Sequence, residues 1–565
     1  MCQSPPDFPT NISINRQNYA NWSNMVTAQQ LWTCAPKTPE DIVSICNWAA
    51  AQSPVWAVRP TGVKHGWSPL TIGDETLPTE PVLLVDLTQH MNTFKFIAPA
   101  GDAPAMVTAQ CGAKMYNLLL FLQFQQGGKG AAMGYAFPHV PAPGNLTLGG
   151  VLAINGHGTA LPAPTEDLPS SYGSMSNHIL EFTAVVSSAA APGTYALRTF
   201  KRGDPEAAAL LVHAGRAFIV SATLQVIDNY NLRCQSTMDI SSDTLFAAPT
   251  GAKPPAKSLA SFLEASGRVE AIWYPFTDDP WLKVWTVSDV QPAGSRLVHD
   301  PYNYAFSDNL PPELTGLLKS ITKGSPQLTP TFEKGFAAFT KLMLGGGIFG
   351  GSLEDLWGPS MNTLLYVKDE TLHVTANGYA IQMKRAQVQQ SIHDFTQKFS
   401  AMLKAYAAKG IYPVNAPLEI RVTGLDDPSK IYHTPGQAAP ASPLLSSLSY
   451  DAVAEANGYD CAVWFDVLTL PGTPGADDFY TELEAWFATH FTVPEYRLLP
   501  EWSKGWAYTS KGGWTSEAFL ASVRQTLTEG RPADQQWNAA VSTLRTCDGA
   551  NLFSAPLLER LFVPT

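Results

Sequence analysis

Arg59-Pro60-Thr61-Gly62-Val63-Lys64-His65-Gly66-Trp67-Ser68-Pro69-Leu70 is the stretch on which the fold of this chain turns. It follows the apolar run Val55 to Val58, which predicts a buried strand. A second stretch answers it, Pro143-Gly144-Asn145-Leu146-Thr147-Leu148-Gly149-Gly150, continuing through Asn155-Gly156-His157-Gly158. Because glycine carries no Cβ, backbone N–H groups in such loops can close on an anion, and two of them make a seat for a pyrophosphate. Neither loop has the G-x-G-x-x-G or G-x-x-x-x-G-K-[ST] spacing of the common nucleotide fingerprints. On turn chemistry alone, tight turns with His65 as a surface imidazole are the favoured reading.

The length of 565 residues suggests several domain-sized units or two large ones, and a composition 45% hydrophobic and 11% aromatic ensures a core. The formal charge of -12, without a Lys/Arg cluster, argues against nucleic acid and against an anionic membrane surface. The longest apolar runs, Leu118 to Leu122 and Leu342 to Phe349, fall far short of a bilayer span, so no transmembrane segment is expected. Cys2, Cys34, Cys46, Cys111, Cys234, Cys461 and Cys547 are scattered, which supports neither a disulfide framework nor a metal site and predicts small buried hydrophobes. Met1-Cys2-Gln3-Ser4-Pro5-Pro6 shows neither the basic nor the apolar region of a signal peptide.

Thr38-Pro39-Glu40-Asp41 starts a helix that feeds Ile42, Val43, Ile45 and Cys46, and the following strand makes this a parallel crossover unit. Strands are expected at Val82 to Leu87, Met106 to Ala109 and Leu180 to Val186, with a helix near Met115 to Phe124. From Arg233 the pattern changes to alternating strands and longer helices. The clearest runs from Lys384 to Lys409, with Val388, Ile392, Phe395, Phe399, Leu403 and Tyr406 on one face and Gly410 as its cap; another begins after Pro474-Gly475. Ala252-Lys253-Pro254-Pro255 and Thr434-Pro435-Gly436 read as loops. The fold class is α+β: a cofactor unit to about Val226, then a substrate domain with a mainly antiparallel sheet covered by helices.

Several side chains can carry chemistry. Leu418-Glu419-Ile420-Arg421-Val422-Thr423 alternates, so Glu419, Arg421 and Thr423 share one face, either as a solvated ion pair or as a site. Glu270 shares its strand face with Ile272 and Tyr274, apolar company that raises a carboxylate's pKa toward that of a general base; an edge-strand Glu reaching solvent is the plain alternative. Asp466 lies with Ala462, Trp464 and Leu468, where an acid must be paired, protonated or functional. Lys504, between Trp502 and Trp506, fits simple packing of its stem as well as a place near a pocket.

The two glycine loops resemble the halves of the FAD site in the vanillyl-alcohol oxidase (PCMH-type) flavoprotein family. From Pro6 to its end the chain resembles, more closely, the type II cholesterol oxidases, whose flavin is covalent. The resemblance rests on Lys37-Thr38-Pro39-Glu40-Asp41, His65-Gly66-Trp67, Glu270-Ala271-Ile272-Trp273-Tyr274-Pro275-Phe276-Thr277, Tyr302-Asn303-Tyr304, Phe306-Ser307-Asp308-Asn309-Leu310-Pro311, Glu419-Ile420-Arg421, Pro471-Gly472-Thr473-Pro474-Gly475 and Glu501-Trp502-Ser503-Lys504-Gly505-Trp506-Ala507, in order across both halves. It implies a PCMH-type FAD-binding domain at 1–228, a substrate domain at 229–511 and a return to the FAD domain at 512–565. It implies covalent FAD on His65, with cofactor contacts from Arg59, Thr61, Gly62, Val63, Lys64, Gly66, Gly144, Thr147, Gly149, Gly150, Asn155, Gly156, His157, Gly158, Gly173 and Asn177.

The same resemblance places Glu270, Glu419, Arg421, Asp466 and Lys504 at a sterol site. It implies oxidation of a 3β-hydroxysteroid: the hydroxyl proton goes to a base, the C3 hydride to the flavin, and O2 is reduced to H2O2. Proton removal at C4 and return at C6 would then give the conjugated ketone. Glu270 serves there as base or as part of an oxygen gate. Two departures stand out. Asp466 replaces an Asn usual in the family, from which an Asp466–Arg421 pair is expected, and Phe553-Ser554-Ala555 lacks an Asn near the flavin ring edge, which weakens a cofactor role for the final stretch. The resemblance also implies a monomer, transient contact with sterol-bearing membranes or micelles, and secretion. The missing signal leaves a cytoplasmic chain and one with its leader removed both open. The rival readings are a covalent-FAD oxidase or dehydrogenase of a sugar lactone or aromatic alcohol, and a noncatalytic flavin or sterol binder.

Overall fold

The crossover unit expected at the start of the chain sets the first layer. In the computed structural model, which describes residues 4–164, 166, 168, 172–251, 253–307, 309–346, 351–433, 436 and 438–565, strands Thr27–Ala35 and Ala57–Thr61 both run parallel to Val82–Asp86, which lies between them. The helix that joins them, Pro39–Ala50, is started by a capping box in which Thr38 Oγ1 accepts from the Asp41 N–H and the Asp41 carboxylate accepts from the Thr38 N–H. Readings at Met1-Cys2-Gln3, Ala252, Asp308, Gly347-Ile348-Phe349 and Thr434-Pro435 lie outside the described residues.

The strand expected at Val55 to Val58 begins later. Val55 is exposed, and pairing runs from Ala57 through Pro60 to Thr61. Pro60 is tolerated because this is an edge strand whose outer N–H at Val58 already reaches the carbonyl of Leu552; at Pro60 that outward position needs no donor. An antiparallel five-stranded sheet follows, Phe94–Ile97, Met106–Gln110, Phe218–Gln225, Ile179–Ser187 and Tyr195–Lys201 in spatial order.

The second half is organised by one large sheet, antiparallel except where Arg296–Leu297 meets Asp355–Pro359. Its centre runs Asn231–Thr237, Trp281–Val287, Arg268–Trp273, Leu418–Gly424, Cys461–Thr469 and Tyr379–Met383. Period-two alternation divides its faces. Phe465 points to one side and stacks on Phe395, 4.1 Å between centroids, from helix Val388–Ala407, whose Val388, Ile392, Phe395, Phe399 and Leu403 are all buried. Helix Ala476–His490 adds Phe487 to the same stack. The helices thus cover one face, leaving Glu419, Arg421 and Asp466 on the other.

Past residue 512 the chain first stays on the second half, with Trp514 and Phe519 against Trp506, and then packs back on the first. Helix Trp537–Cys547 contacts Ala207–Leu210, and Arg216 donates to the Phe553 carbonyl and pairs with Asp548. The six described cysteines are unpaired and buried. Among the described residues no helix is long and apolar enough to cross a membrane.

Candidate active site

The glycine loops meet. Gly62 approaches Thr147 so closely that a Cβ there would overlap the threonine side chain, and a Cβ on Gly149 would stand 2.8 Å from that of Cys111. Lys64 and Asn155 turn the loops with left-handed backbones, φ 61° and 65°. A cavity of about 340 Å³ extends from these loops past His65 to Glu419, Arg421, Glu501 and Lys504. In its wall Asn155 Nδ2 is buried with no hydrogen-bond partner among the described residues. A glycine cradle with an unused donor suits an anionic, hydrogen-bonding group such as the pyrophosphate of FAD.

His65 rests on the Trp22 ring, 4.0 Å between centroids, with the edge of Trp67 5.3 Å away. Burial first, then Lys504 and His373, push its pKa down to about 3, so the imidazole is neutral and nucleophilic across the physiological range. The loop carrying it is fixed from the far half of the chain: the Trp67 N–H donates to the Ser503 carbonyl at 2.7 Å and Trp67 Nε1 to the Val374 carbonyl at 2.6 Å.

Not every implied cofactor contact lies at the cavity. Arg59 is buried with its guanidinium bonded to the carbonyls of Leu70, Thr71 and Gly215, so it braces the loop even where it borders the cavity. Thr61, Val63, Lys64, Gly66, Gly150, Gly156 and His157 line it, but among the described lining residues Gly144, Gly158, Gly173 and Asn177 do not appear. The first three give close room to the Tyr302 hydroxyl, the Val140 backbone and Asp426, while Asn177 joins Arg202 to the Asp427 carbonyl. His157 lies flat on Trp464, 3.9 Å between centroids, with Nε2 3.8 Å from Glu501.

Strand register assembles the opposite wall. Lys283 faces Glu270, Glu270 faces Arg421, and Arg421 faces Trp464 in one cross-strand row; Glu419 faces Asp466 in the next. Arg421 is shared by three carboxylates: it bonds Asp466, stands 3.1 Å from Glu419, and keeps Nε 3.9 Å from Glu270. The expected Asp466–Arg421 pair is therefore formed. Lys504 Nζ reaches Asp466 at 3.4 Å and Glu501 at 3.5 Å and lies over the Trp67 ring, 4.5 Å from its centroid.

The surroundings of Glu270 are not the apolar ones its strand neighbours suggested. It is buried between Arg421 and Lys283, and the Tyr366 hydroxyl donates to it, 2.7 and 2.8 Å from its two oxygens. The neighbouring strands, not Ile272 and Tyr274, decide what it meets. Glu419 is the carboxylate that titrates near neutrality: burial first, then Glu270 and Asp466, outweigh Arg421 and raise it to about 7. Asp466 lies the other way, below the usual carboxylate range, because Lys504 and Arg421 outweigh burial. Four carboxylates (Glu270, Glu419, Asp466, Glu501) face three cations (Lys283, Arg421, Lys504), so one proton on Glu419 balances the cluster.

Sequence reasoning missed Tyr366 and Lys283. Tyr366 follows helix Ser360–Leu364 and had no signal. For Lys283 there was one: Trp281-Leu282-Lys283-Val284-Trp285 puts a lysine on a tryptophan face.

Residues 231–563 match the family model described as cholesterol oxidase, substrate-binding. A solved structure titled solvent-stable cholesterol oxidase is 43% identical, with 99% of this chain and 100% of that one covered and a TM-score of 0.91. The cholesterol oxidase of Brevibacterium sterolicum is 37% identical over 99% of both chains, also with a TM-score of 0.91. A chitooligosaccharide oxidase, 10% identical over 95% of this chain and 93% of its own with a TM-score of 0.53, shares the fold alone. Comparison with curated proteins finds no match. By identity, coverage and the matched family model, the chain belongs to the cholesterol oxidase family.

Proposed function

We propose that this chain oxidises the 3β-hydroxyl of cholesterol as an FAD-dependent oxidase, with residues 1–228 and 512–565 forming the FAD domain and 229–511 the sterol domain. The carrying observation is one cavity with an anion cradle and His65 at one end and an arginine shared by three carboxylates at the other. FAD, when bound, supplies the hydride acceptor and the means of passing electrons to O2. Gly62, Thr147, Gly149, Gly150 and Asn155 would hold its pyrophosphate, and neutral His65 would bond it covalently.

Glu419 accepts the proton of the sterol 3-hydroxyl. Of the three carboxylates around Arg421 it keeps the most surface open to the cavity, 19% of its side chain, and its pKa near 7 lets it accept and return a proton at working pH. Arg421 stabilises negative charge that develops beside it, and Lys504 and Asp466 fix the guanidinium in place. The same carboxylates, Glu419 with Glu270 behind it, are suited to move a proton from C4 to C6 and conjugate the double bond.

The experiment is anaerobic mixing of the holoenzyme with cholesterol, followed by flavin absorbance and by the ultraviolet band of a conjugated enone. Bleaching with an enone supports both steps; bleaching without one leaves oxidation alone. Bleaching only by a sugar or an aromatic alcohol transfers the chain to another substrate class. For the covalent link, acid precipitation of the wild type and of His65→Ala decides: yellow pellet from the first and yellow supernatant from the second.

A further inference from the structure

Lys283, like Glu501, is a charged group of the cluster that the mechanism above leaves unused, and its setting is unusual. It is completely buried, and among the described residues its ammonium has no hydrogen-bond partner. Nζ stands 3.3 Å from the centroid of the Tyr366 ring and 4.5 Å from that of Tyr304, with Trp281 and Trp285 about as near at 5.1 and 5.0 Å. An ammonium so caged is held by ring quadrupoles and by one anion, Glu270, at 3.9 Å. A buried lysine without a hydrogen-bond partner among the described residues is costly to keep, and an apolar residue would fill an aromatic cage at less cost.

The row geometry gives it a use. Glu270 lies between Lys283 on one strand and Arg421 on the next, so each cation neutralises part of the same carboxylate. Without Lys283, Glu270 would take Arg421 as its sole cation, in competition with Glu419 and Asp466. We infer that Lys283 is a positioning residue for the oxidation: by neutralising Glu270 from behind, it frees Arg421 for the cavity and sets the field in which Glu419 exchanges its proton.

This rests on the reading of Glu419 as proton acceptor. The groups facing Glu270 are Lys283, the Tyr366 hydroxyl and Arg421. Glu419 faces Arg421, Asp466, Lys504, Tyr274 and Tyr366, and Lys283 also borders Cys234 and Tyr304. In this arrangement Lys283 and Glu270 act on Glu419 with opposite signs. Loss of the cation makes the Glu419 carboxylate harder to form, and loss of the anion makes it easier.

The test is the pH dependence of anaerobic flavin reduction in Lys283→Met, Glu270→Gln and the double variant, beside Glu419→Gln. The limb abolished by Glu419→Gln is expected to move up by about half a pH unit or more in Lys283→Met, down in Glu270→Gln, and back toward its original place in the double variant. A limb that stays put in Lys283→Met, or moves the same way in both, overturns the inference. If Glu419→Gln leaves the profile unchanged, the proton-acceptor reading fails, and thermal unfolding of the same four proteins decides for Lys283. A buried pair makes the double variant more stable than Lys283→Met alone, whereas additive losses mean a merely packed lysine. The unfolding series also serves if Lys283→Met does not fold by itself, since recovery in the double variant is then the supporting outcome.

Discussion

The glycine cradle and the charged row line the same cavity but hold their shapes by different means. The cradle is backbone: Gly62 against Thr147, Gly149 against Cys111, and a loop braced by Arg59 on three carbonyls and by Asn21 Nδ2 on the carbonyls of Gly66 and Trp67. It tolerates no added volume and is indifferent to charge. The row of Lys283, Glu270 and Arg421 with Glu419 and Asp466 beside it is side chain on side chain, four strands wide. It tolerates changes of shape better than a change of one charge, because each group is buried against groups of opposite sign.

The largest expected effect breaks the first half of that contrast. Gly62→Val places a branched side chain where Thr147 already stands, and the protein should purify with almost no bound flavin, read as the ratio of flavin to protein absorbance. Adding Thr147→Gly to the same chain should restore part of the yellow colour. Full flavin content in Gly62→Val would show that the loops part easily and that the cradle is not built by exclusion.

On the other wall Arg421→Met keeps the volume and removes the charge shared by three carboxylates. Flavin should still bind, while its anaerobic reduction by cholesterol slows by about 10²–10³-fold, the range for losing a group aimed at developing charge. A slowing below about fivefold would assign the arginine to structure alone.

Glu419 gives a smaller and pH-bound effect. Its folded pKa, about 7, lies above the ordinary value of 4.5, so between these values the native state holds a proton that the unfolded state has lost. Stability from this group is therefore complete below pH 4.5 and is lost as pH rises through 7. Glu419→Gln has no such loss, so relative to wild type it should gain on the order of 2 kcal/mol between pH 5 and pH 8 in denaturant unfolding. A constant difference across that range would place the titration elsewhere.

What could be read from the sequence divides along the same line. Gly62 and His65 share one short loop and Gly149 stands in a second, and the lack of a Cβ is a property of the residue itself, so both loops were legible. The face shared by Glu419 and Arg421 was legible for a similar reason, since alternation along one strand is local. Gly144, Gly158 and Gly173 looked alike in sequence but accommodate Tyr302, Val140 and Asp426, because what a glycine makes room for is decided by distant chain. Glu270 was misjudged by its own strand neighbours: its true company, Lys283, Tyr366 and Arg421, arrives through pairing with other strands and a helix end. The outer N–H of the Pro60 strand, at Val58, likewise finds its acceptor at Leu552, far along the chain.

The finest distinction falls on Asp466. Its carboxylate sits against both Arg421 and Lys504, so in the native protein it offsets positive charge that would otherwise face the cofactor. Asp466→Asn changes little in volume and raises the net charge of the cluster by one unit. Reduction adds negative charge to the flavin, so the reduced form gains and the midpoint potential should rise. Two charges about 4 Å apart at an effective dielectric near 20 interact by roughly 4 kcal/mol, which for a two-electron couple is about 90 mV. The shift should be about a third of that, ~30 mV, because the carboxylate acts through two cations that keep other partners, Glu419 and Glu270 for Arg421 and Glu501 for Lys504. Those remaining partners also limit the loss of stability below the several kcal/mol of breaking an isolated buried pair. A redox titration with a reference dye measures it: a rise ties the charged row to the cofactor across the cavity, whereas an unchanged potential would mean that the two cations do not face the flavin at all.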